Sequence, residues 1–386
     1  MYTSMHGRDE LTMEYRLDGR AAVDDLASLQ DLQWLFANLG LDPRYRDWFR
    51  HRAWVRTIHG TTRIEGNSLS DREVEEVLES LPRSRTKDAL EVHATRIALA
   101  FVDEIALDRE LRVDERVIRE IHRRVLDDID PMMRPGQFRT GANRVADADG
   151  NLIFTTATAG DVPDLMRRLG LWLRTAARKE HPVVSAALAH LELVAIHPFY
   201  DGNGRTARAL SRMLLVRDGF SLDGLVSLDA YLDLQRRDYF AAIRAALGSS
   251  YTRGYDATPF VKYFVTAIRS AAEHALSRVK GTTELLGVLR DAVGAGTLSP
   301  QLTDPLVYAW INGTLRPSDY REITGRTGPS ATRDLAQAVR AGYLTVTGVT
   351  KARRYAVGPR LVAVRPTAVT PRAVVERRRT TSSRAR

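Results

Sequence analysis

A chain of 386 residues with 44% hydrophobic side chains has room for two or three domains with buried cores. With no cysteine it can form no disulfide, thiol nucleophile or thiolate metal site, and no apolar run reaches membrane-spanning length. The N-terminus also lacks the basic-then-apolar order of a signal peptide, so a soluble cytoplasmic protein with no membrane partner is expected. The formal net charge of +9 is unevenly spread: residues 1–316 carry 42 Lys/Arg against 44 Asp/Glu, whereas residues 317–386 carry 15 against 4. The basic excess is therefore C-terminal and says nothing about the rest.

In chain order, the first hundred residues read as helical, with Leu26, Leu29, Leu32 and Leu35 as one apolar stripe and a helix over 71–80. Apolar residues flank Asp149-Gly150, a good hairpin turn, which predicts a β-hairpin from Asn143 to Thr155. Val183, Val184, Ala187, Leu188, Leu191, Val194 and Ala195 then recur at helical spacing up to His197, and Ala209, Leu210, Met213 and Leu214 resume the period. A helix over roughly 283–300 is broken at Gly294-Ala295-Gly296. Beyond it come a short helix over 318–323, a turn over 324–329, a helix over 330–341 opened by a Ser330 cap, and strands at 342–346 and 354–357. Residues 364–386 hold seven Arg and one Glu among Pro, Ser and Thr, the composition of a disordered tail. No internal repeat is present.

The chemistry concentrates between the two apolar helices, in His197-Pro198-Phe199-Tyr200-Asp201-Gly202-Asn203-Gly204-Arg205-Thr206-Ala207-Arg208. Gly202-Asn203-Gly204 forms the loop entering the second helix. First-turn amides of a helix lack internal partners and carry the positive end of its dipole, so this is an anion site. Arg205 falls in the first turn and Arg208 three residues later on the same face, which suits two or three linked phosphates. Asp201 offers a hard oxygen to a Mg²⁺ that bridges such phosphates. His197 supplies a base whose pKa lies near neutrality.

These residues match, at every specified position, the motif HxFx(D/E)GNG(R/K)xxR, and the chain thereby resembles the Fic family. The resemblance implies a mainly α fold, a Fic-type helical core with a β-hairpin flap, that transfers AMP from Mg-ATP to a Tyr, Thr or Ser hydroxyl of a target protein. It would make His197 the general base and Asp201 the Mg²⁺ ligand. Gly202, Asn203 and Gly204 would be the anion hole at the α- and β-phosphates, with Arg205 on the β- and Arg208 on the γ-phosphate. Doc-type relatives, which transfer a phosphoryl group, carry Lys where this chain has Gly204, so nucleotidyl transfer is favoured.

Upstream, Thr61, Glu65 and Gly66 are similar to the family's inhibitory (S/T)xxxE(G/N) motif, whose glutamate would engage Arg208 and deny the γ-phosphate its partner. The hairpin would be the flap that takes the target by strand addition, through Leu152, Ile153 and Phe154. Tyr231 and Tyr239 stand where relatives line the adenine pocket, although tyrosines packed on a helix account for them equally well. Gly136-Gln137-Phe138-Arg139 resembles the family's GxxR stretch, whereas His93 departs from the Asn many relatives carry.

The C-terminal order of elements resembles a winged helix-turn-helix, an α+β module, with 330–335 in the recognition-helix position. DNA is one partner it would take; many such modules only pack or form homodimers. The expected division is therefore 1–100, an N-terminal helical region with the inhibitory motif; 101–275, the Fic core; 283–363, the winged helix; and 364–386, the tail. Two alternatives to an adenylyltransferase stand beside it: a hydrolase that removes AMP from modified protein, with Glu65 orienting water, and a DNA-binding regulator.

Overall fold

The computed structural model describes residues 12–79, 86–127, 129–146, 152–348 and 353–364. The basic tail from residue 365 and the Asp149-Gly150 turn lie outside the described residues, as do the side chains of Leu152 and Ile153. The fold is mainly helical, and no helix among the described residues is long and apolar enough to cross a membrane.

Two compact units emerge. The first comprises the chain up to Trp34 together with Trp54–Arg269. It opens with strand β1 (Tyr15–Arg16), helix α1 (Val23–Ala37) and the second half of α2 (Pro43–Ile64). After these come α3 (Asp71–Glu79), α4 (Lys87–Ala106) and α5 (Glu115–Val125). Strands β2 (Arg144–Ala146) and β3 (Leu152–Thr155) pair antiparallel, so the expected hairpin forms. The remainder is α6 (Val162–Arg174), α7 (Pro182–Ile196), α8 (Asn203–Arg217), α9 (Leu228–Leu234), α10 (Arg236–Leu247), β4 (Tyr255–Asp256) and the first third of α11 (Thr258–Gly294). β1 and β4 pair in parallel, a contact between chain ends that no local pattern announces.

Helix α7 is apolar on every side, and Ala186, Leu188, Leu191 and Leu193 are fully buried. Such a helix belongs in the centre of a core. It packs against α8, on which α4 and α5 also rest, while α6 covers its other side. The expected boundary at residue 100 does not separate compact parts, because α4 runs through it and packs on α8.

The second unit takes Leu35–Ala53 and the chain from Ser270 onward. A break between 275 and 283 was expected, and none exists: α11 is one 37-residue helix. Ala271, Ala272, Leu276, Val279, Leu285 and Leu289 continue a single buried stripe, and an isolated Gly281 is tolerated when packing outweighs its roughly 1 kcal/mol propensity cost. The helix ends at Gly294, the expected place.

Helix α12 (Thr303–Asn312) is followed by β5 (Thr314–Leu315), α13 (Pro317–Thr324), α14 (Gly328–Arg340), β6 (Leu344–Thr347), β7 (Arg354–Val357) and α15 (Pro359–Val364). The sheet order is β5-β7-β6, antiparallel throughout. Helix α14 starts two residues before the expected Ser330, from a Thr327 cap, because Pro329 sits in its first turn, where a missing N–H costs nothing. Tyr320 is fully buried and its hydroxyl donates to Asp334 at 2.6 Å, which locks α13 to α14.

Candidate active site

Helix α7 ends at His197, whose backbone is left-handed at φ 51° and whose N–H bonds to the Leu193 carbonyl. That conformation costs a residue with a side chain on the order of 1 kcal/mol, so it needs support. Arg139 provides it. Only 1% exposed, its guanidinium donates to the carbonyls of His197 (2.7 Å), Ile196 (3.3 Å) and Gly141 (2.9 Å) and to the Thr156 hydroxyl (3.1 Å). The base of the hairpin and the end of α7 are thus tied to one cation.

The His197 ring places Nδ1 3.2 Å from the Val194 carbonyl, so Nδ1 carries the proton and Nε2 keeps its lone pair. Burial lowers its pKa below the ordinary 6.5, although the Val194 carbonyl and Glu65 act in the other direction. A neutral imidazole with an open Nε2 is the form a general base requires.

The loop after His197 is held from beneath. Asn203 is buried, its Oδ1 accepting from the Phe199 N–H (3.0 Å) and its Nδ2 donating to the Phe199 carbonyl (3.0 Å). Its side chain therefore shapes the loop, and only its amide is left to face an anion. His122 of α5 stacks on Phe199 at 3.6 Å, accepts from the Gly136 N–H at Nδ1 (2.9 Å) and donates from Nε2 to the Asp201 carbonyl (3.0 Å). Burial pushes its pKa down to about 4, so it stays neutral. The sequence marked Arg139 only as the arginine of the GxxR-like stretch, without a role, and it did not single out His122, which looks like a polar member of an apolar helix face.

Helix α8 begins at Asn203, so its first-turn amides open onto this loop. Both arginines are buried here. Arg205 lies 3.5 Å from Glu91 of α4 and 3.5 Å from Asp201, while its Nε and Nη1 have no hydrogen-bond partner among the described residues. Unpaired buried donors are costly, and an anion would satisfy them.

Arg208 is fully engaged. Nε donates to the Thr61 hydroxyl (2.7 Å), and Nη2 donates to the Thr61 carbonyl (3.0 Å) and to Glu65 Oε1 (2.7 Å). Nε also lies 3.5 Å from the buried carboxylate of Asp229 in α9, a residue the sequence did not single out. Glu65 sits just past the end of α2, and its burial favours the neutral acid. Arg208 and then Arg205 overcome that and hold its carboxyl below the ordinary range. Thr61 and Glu65 are thus brought to Arg208 as a unit. Asn67 anchors the next turn by donating to the Asp88 carbonyl (2.9 Å) and to Glu91 (3.1 Å).

Glu65 reaches deep into the loop. A methyl group in place of the Gly204 hydrogen would lie 2.3 Å from Glu65 Oε1 and 3.2 Å from Arg208 Nη1. The Glu65 carboxylate occupies the space over the Gly202-Asn203-Gly204 turn.

Asp201 is the more exposed member, its side chain 41% accessible. Its Oδ1 accepts from the Gly202 N–H (2.7 Å). One accessible carboxylate that would share the ion with substrate phosphates is the usual protein contribution to Mg²⁺ binding, so the residues fit that ion. The described residues contain no cluster of three metal-ligating side chains.

Other expected residues fall differently. Tyr239 is 1% exposed, bonds its hydroxyl to His190 Nε2 (2.8 Å) and packs against Phe260, so it is a core residue. Tyr231 is partly buried on α9. Phe154 is buried as well and does not present its ring to a partner. The free edge of β3 is already used at Thr155, whose N–H donates to the Ser249 carbonyl (2.9 Å) and whose carbonyl accepts from Tyr251 (2.8 Å). Strand addition is left the stretch nearer the hairpin tip.

The family model described as Fic/DOC family matches residues 112–215, which contain His197, the loop and both arginines. Protein adenylyltransferase fic-1 of Caenorhabditis elegans is 30% identical over 268 residues, 67% of this chain and 48% of that protein. The chain thus spans less than half the length of the curated relatives it matches. A Fic domain-containing signaling protein from Bacteroides thetaiotaomicron has a TM-score of 0.56 at 26% identity, covering 68% of this chain and 97% of that one. A Fic family protein from Desulfovibrio desulfuricans shares the fold over 90% of this chain and 98% of its own, with a TM-score of 0.54 at 23% identity. Residues 112–215 of this chain thus match the Fic/DOC family model, and the likeness to these proteins is centred on that domain.

Proposed function

We propose that this chain is a protein adenylyltransferase that moves AMP from ATP to a Tyr, Thr or Ser hydroxyl of a target protein, and that Glu65 restrains it. The observation that carries the reading is the 2.7 Å pairing of Glu65 with Arg208 over the loop, a carboxylate where a terminal phosphate would bind. The adenylyltransferase named in Caenorhabditis elegans supports the same chemistry.

His197 Nε2 takes the proton of the target hydroxyl as its oxygen attacks the α-phosphorus. The new P–O bond forms, the bond to the bridging oxygen breaks, and pyrophosphate leaves. First-turn amides of α8, with Arg205 and Arg208, hold the negative charge that gathers on the leaving group. Asp201 would hold Mg²⁺, which when bound neutralises phosphate charge. Tyr231 is the remaining candidate for the adenine side.

Labelled ATP incubated with cell lysate and the Glu65→Gly protein tests the reading. Label on protein is expected, and its absence across lysates overturns it. The same variant pair incubated with AMP-modified protein reads the reverse reaction, and AMP release that requires Glu65 would make this a hydrolase.

A second reading concerns the C-terminal unit. Order α12-β5-α13-α14-β6-β7 with the sheet β5-β7-β6 supports the resemblance to a winged helix-turn-helix, and Thr332 and Arg333 are exposed on α14. Beside them a groove of about 350 Å³ is flanked by Arg321 and Arg353. We infer that this face binds DNA. Affinity that falls with salt, and falls further in Arg333→Ala, is expected; salt-independent binding or none refutes it.

A further inference from the structure

Arg208 faces two carboxylates, and only one of them belongs to the inhibitory motif. Glu65 approaches Nη2 at 2.7 Å, whereas Asp229 lies 3.5 Å from Nε. Thr61 meets the same atom: its hydroxyl accepts from Arg208 Nε at 2.7 Å, beside the Asp229 carboxylate at 3.5 Å.

The position of Asp229 is strongly determined. The Ser227 hydroxyl caps α9 by accepting from the Ala230 N–H (3.2 Å) and receives the Thr57 hydroxyl of α2 (2.9 Å). A methyl group at Gly60 would lie 2.6 Å from the Asp229 carbonyl carbon and the Ala230 nitrogen, so the main chains of α2 and α9 touch. The other nearby cation, Arg212, is held by Asp103 through two bonds of 2.7 and 2.8 Å. Asp229 therefore serves Arg208.

The pairing acquires a purpose once Glu65 withdraws. Arg208 would then be a buried cation, 3% exposed, with Asp229 as its remaining carboxylate. A buried charge stripped of its partner loses several kcal/mol and tends to reorient toward water. We propose that Asp229 is a positioning residue for Arg208, the fixed carboxylate that keeps this guanidinium aimed at the terminal phosphate of the nucleotide after Glu65 has left. The proposal rests on the assignment of Arg208 to that phosphate.

The test uses the full chain carrying Glu65→Gly, with Asp229→Asn added, and measures affinity for ATP and for AMP by calorimetry alongside kcat and KM for transfer. Outer-shell partners typically alter binding by roughly 10–100-fold, so the ATP affinity is expected to fall about tenfold while AMP affinity holds within about twofold. The loss should fall on KM for ATP more than on kcat, and Asp229→Glu should restore part of it. An unchanged ratio of ATP to AMP affinity, or an equal fall in both, overturns the proposal. If Asp229→Asn does not fold, Thr61→Val removes the hydroxyl link and must lower the same ratio in the same direction, or the proposal fails. Absence of AMP transfer by Glu65→Gly, with the ratio still sensitive to Asp229, sinks the transferase reading and leaves the positioning role standing.

Discussion

Glu65 and Arg208 are separated by 143 positions in the chain and meet at 2.7 Å, carboxylate on guanidinium. Helix α2 delivers the one and α8 the other, and Thr61, a turn before Glu65, binds the same guanidinium. Such charge-assisted bonds contribute about 1.5–3 kcal/mol, so Glu65→Gly should raise AMP transfer by roughly one to two orders of magnitude. Adding Arg208→Ala should cancel most of the gain. Labelled-ATP assays on both variants check this, and a Glu65→Gly rate equal to wild type would count against restraint by Glu65.

The acid limb of the pH profile should report His197. Because burial lowers its pKa, the neutral base persists below pH 6.5, and kcat/KM should begin to fall only at lower pH. Glu65 raises that pKa, so the limb in Glu65→Gly should lie lower still. A limb at or above 6.5 would mean that another group is being titrated. His197→Ala should abolish transfer and leave ATP binding within about twofold, since the base acts on the incoming hydroxyl.

Asp201→Ala should raise the Mg²⁺ concentration needed for half-maximal transfer by about tenfold or more, because one of the few protein ligands is lost. Metal titrations that superimpose on wild type would remove Asp201 from the metal site.

Five residues before His197, Glu192 is buried and accepts from the hydroxyls of Tyr255 (2.7 Å) and Tyr251 (3.4 Å). Burial raises its pKa from 4.5 to about 7, so between these values the folded state binds more protons than the unfolded chain and loses stability as pH rises. Glu192→Gln removes that slope. Its stability relative to wild type should improve by on the order of 3 kcal/mol between pH 4.5 and 8, as read by denaturant unfolding at each pH. Parallel curves would show that Glu192 titrates normally.

The sequence made the catalytic loop legible because its residues are contiguous. Glycines, arginines and the acid lie between two apolar helical runs, so both the local structure and its chemistry can be read without tertiary knowledge. Glu65 needed a second short motif. Asp229, Glu91 and His122 were not legible, because each acts through a partner far along the chain and resembles any polar residue on an amphipathic helix. Helix α11 shows the opposite error: the sequence reading ended the core near residue 275 and began a new helix near 283, whereas one buried stripe runs unbroken through that stretch. For Tyr239 the sequence leaves an adenine pocket and packing on a helix equally open, and its neighbours in space, His190 and Phe260, place it in the core.

The hydrogen on the α-carbon of Gly204 has two successive tenants to accommodate. The Glu65 carboxylate rests where any larger substituent would stand, 2.3 Å from a would-be methyl group. In the reading proposed for the working enzyme, phosphate oxygens need that same ground. A single alanine there would evict the restraint and the substrate together, so no one-step change at this position can switch the protein on. Release has to come from the side of α2, where Glu65 can be lost without touching the floor on which the nucleotide would lie.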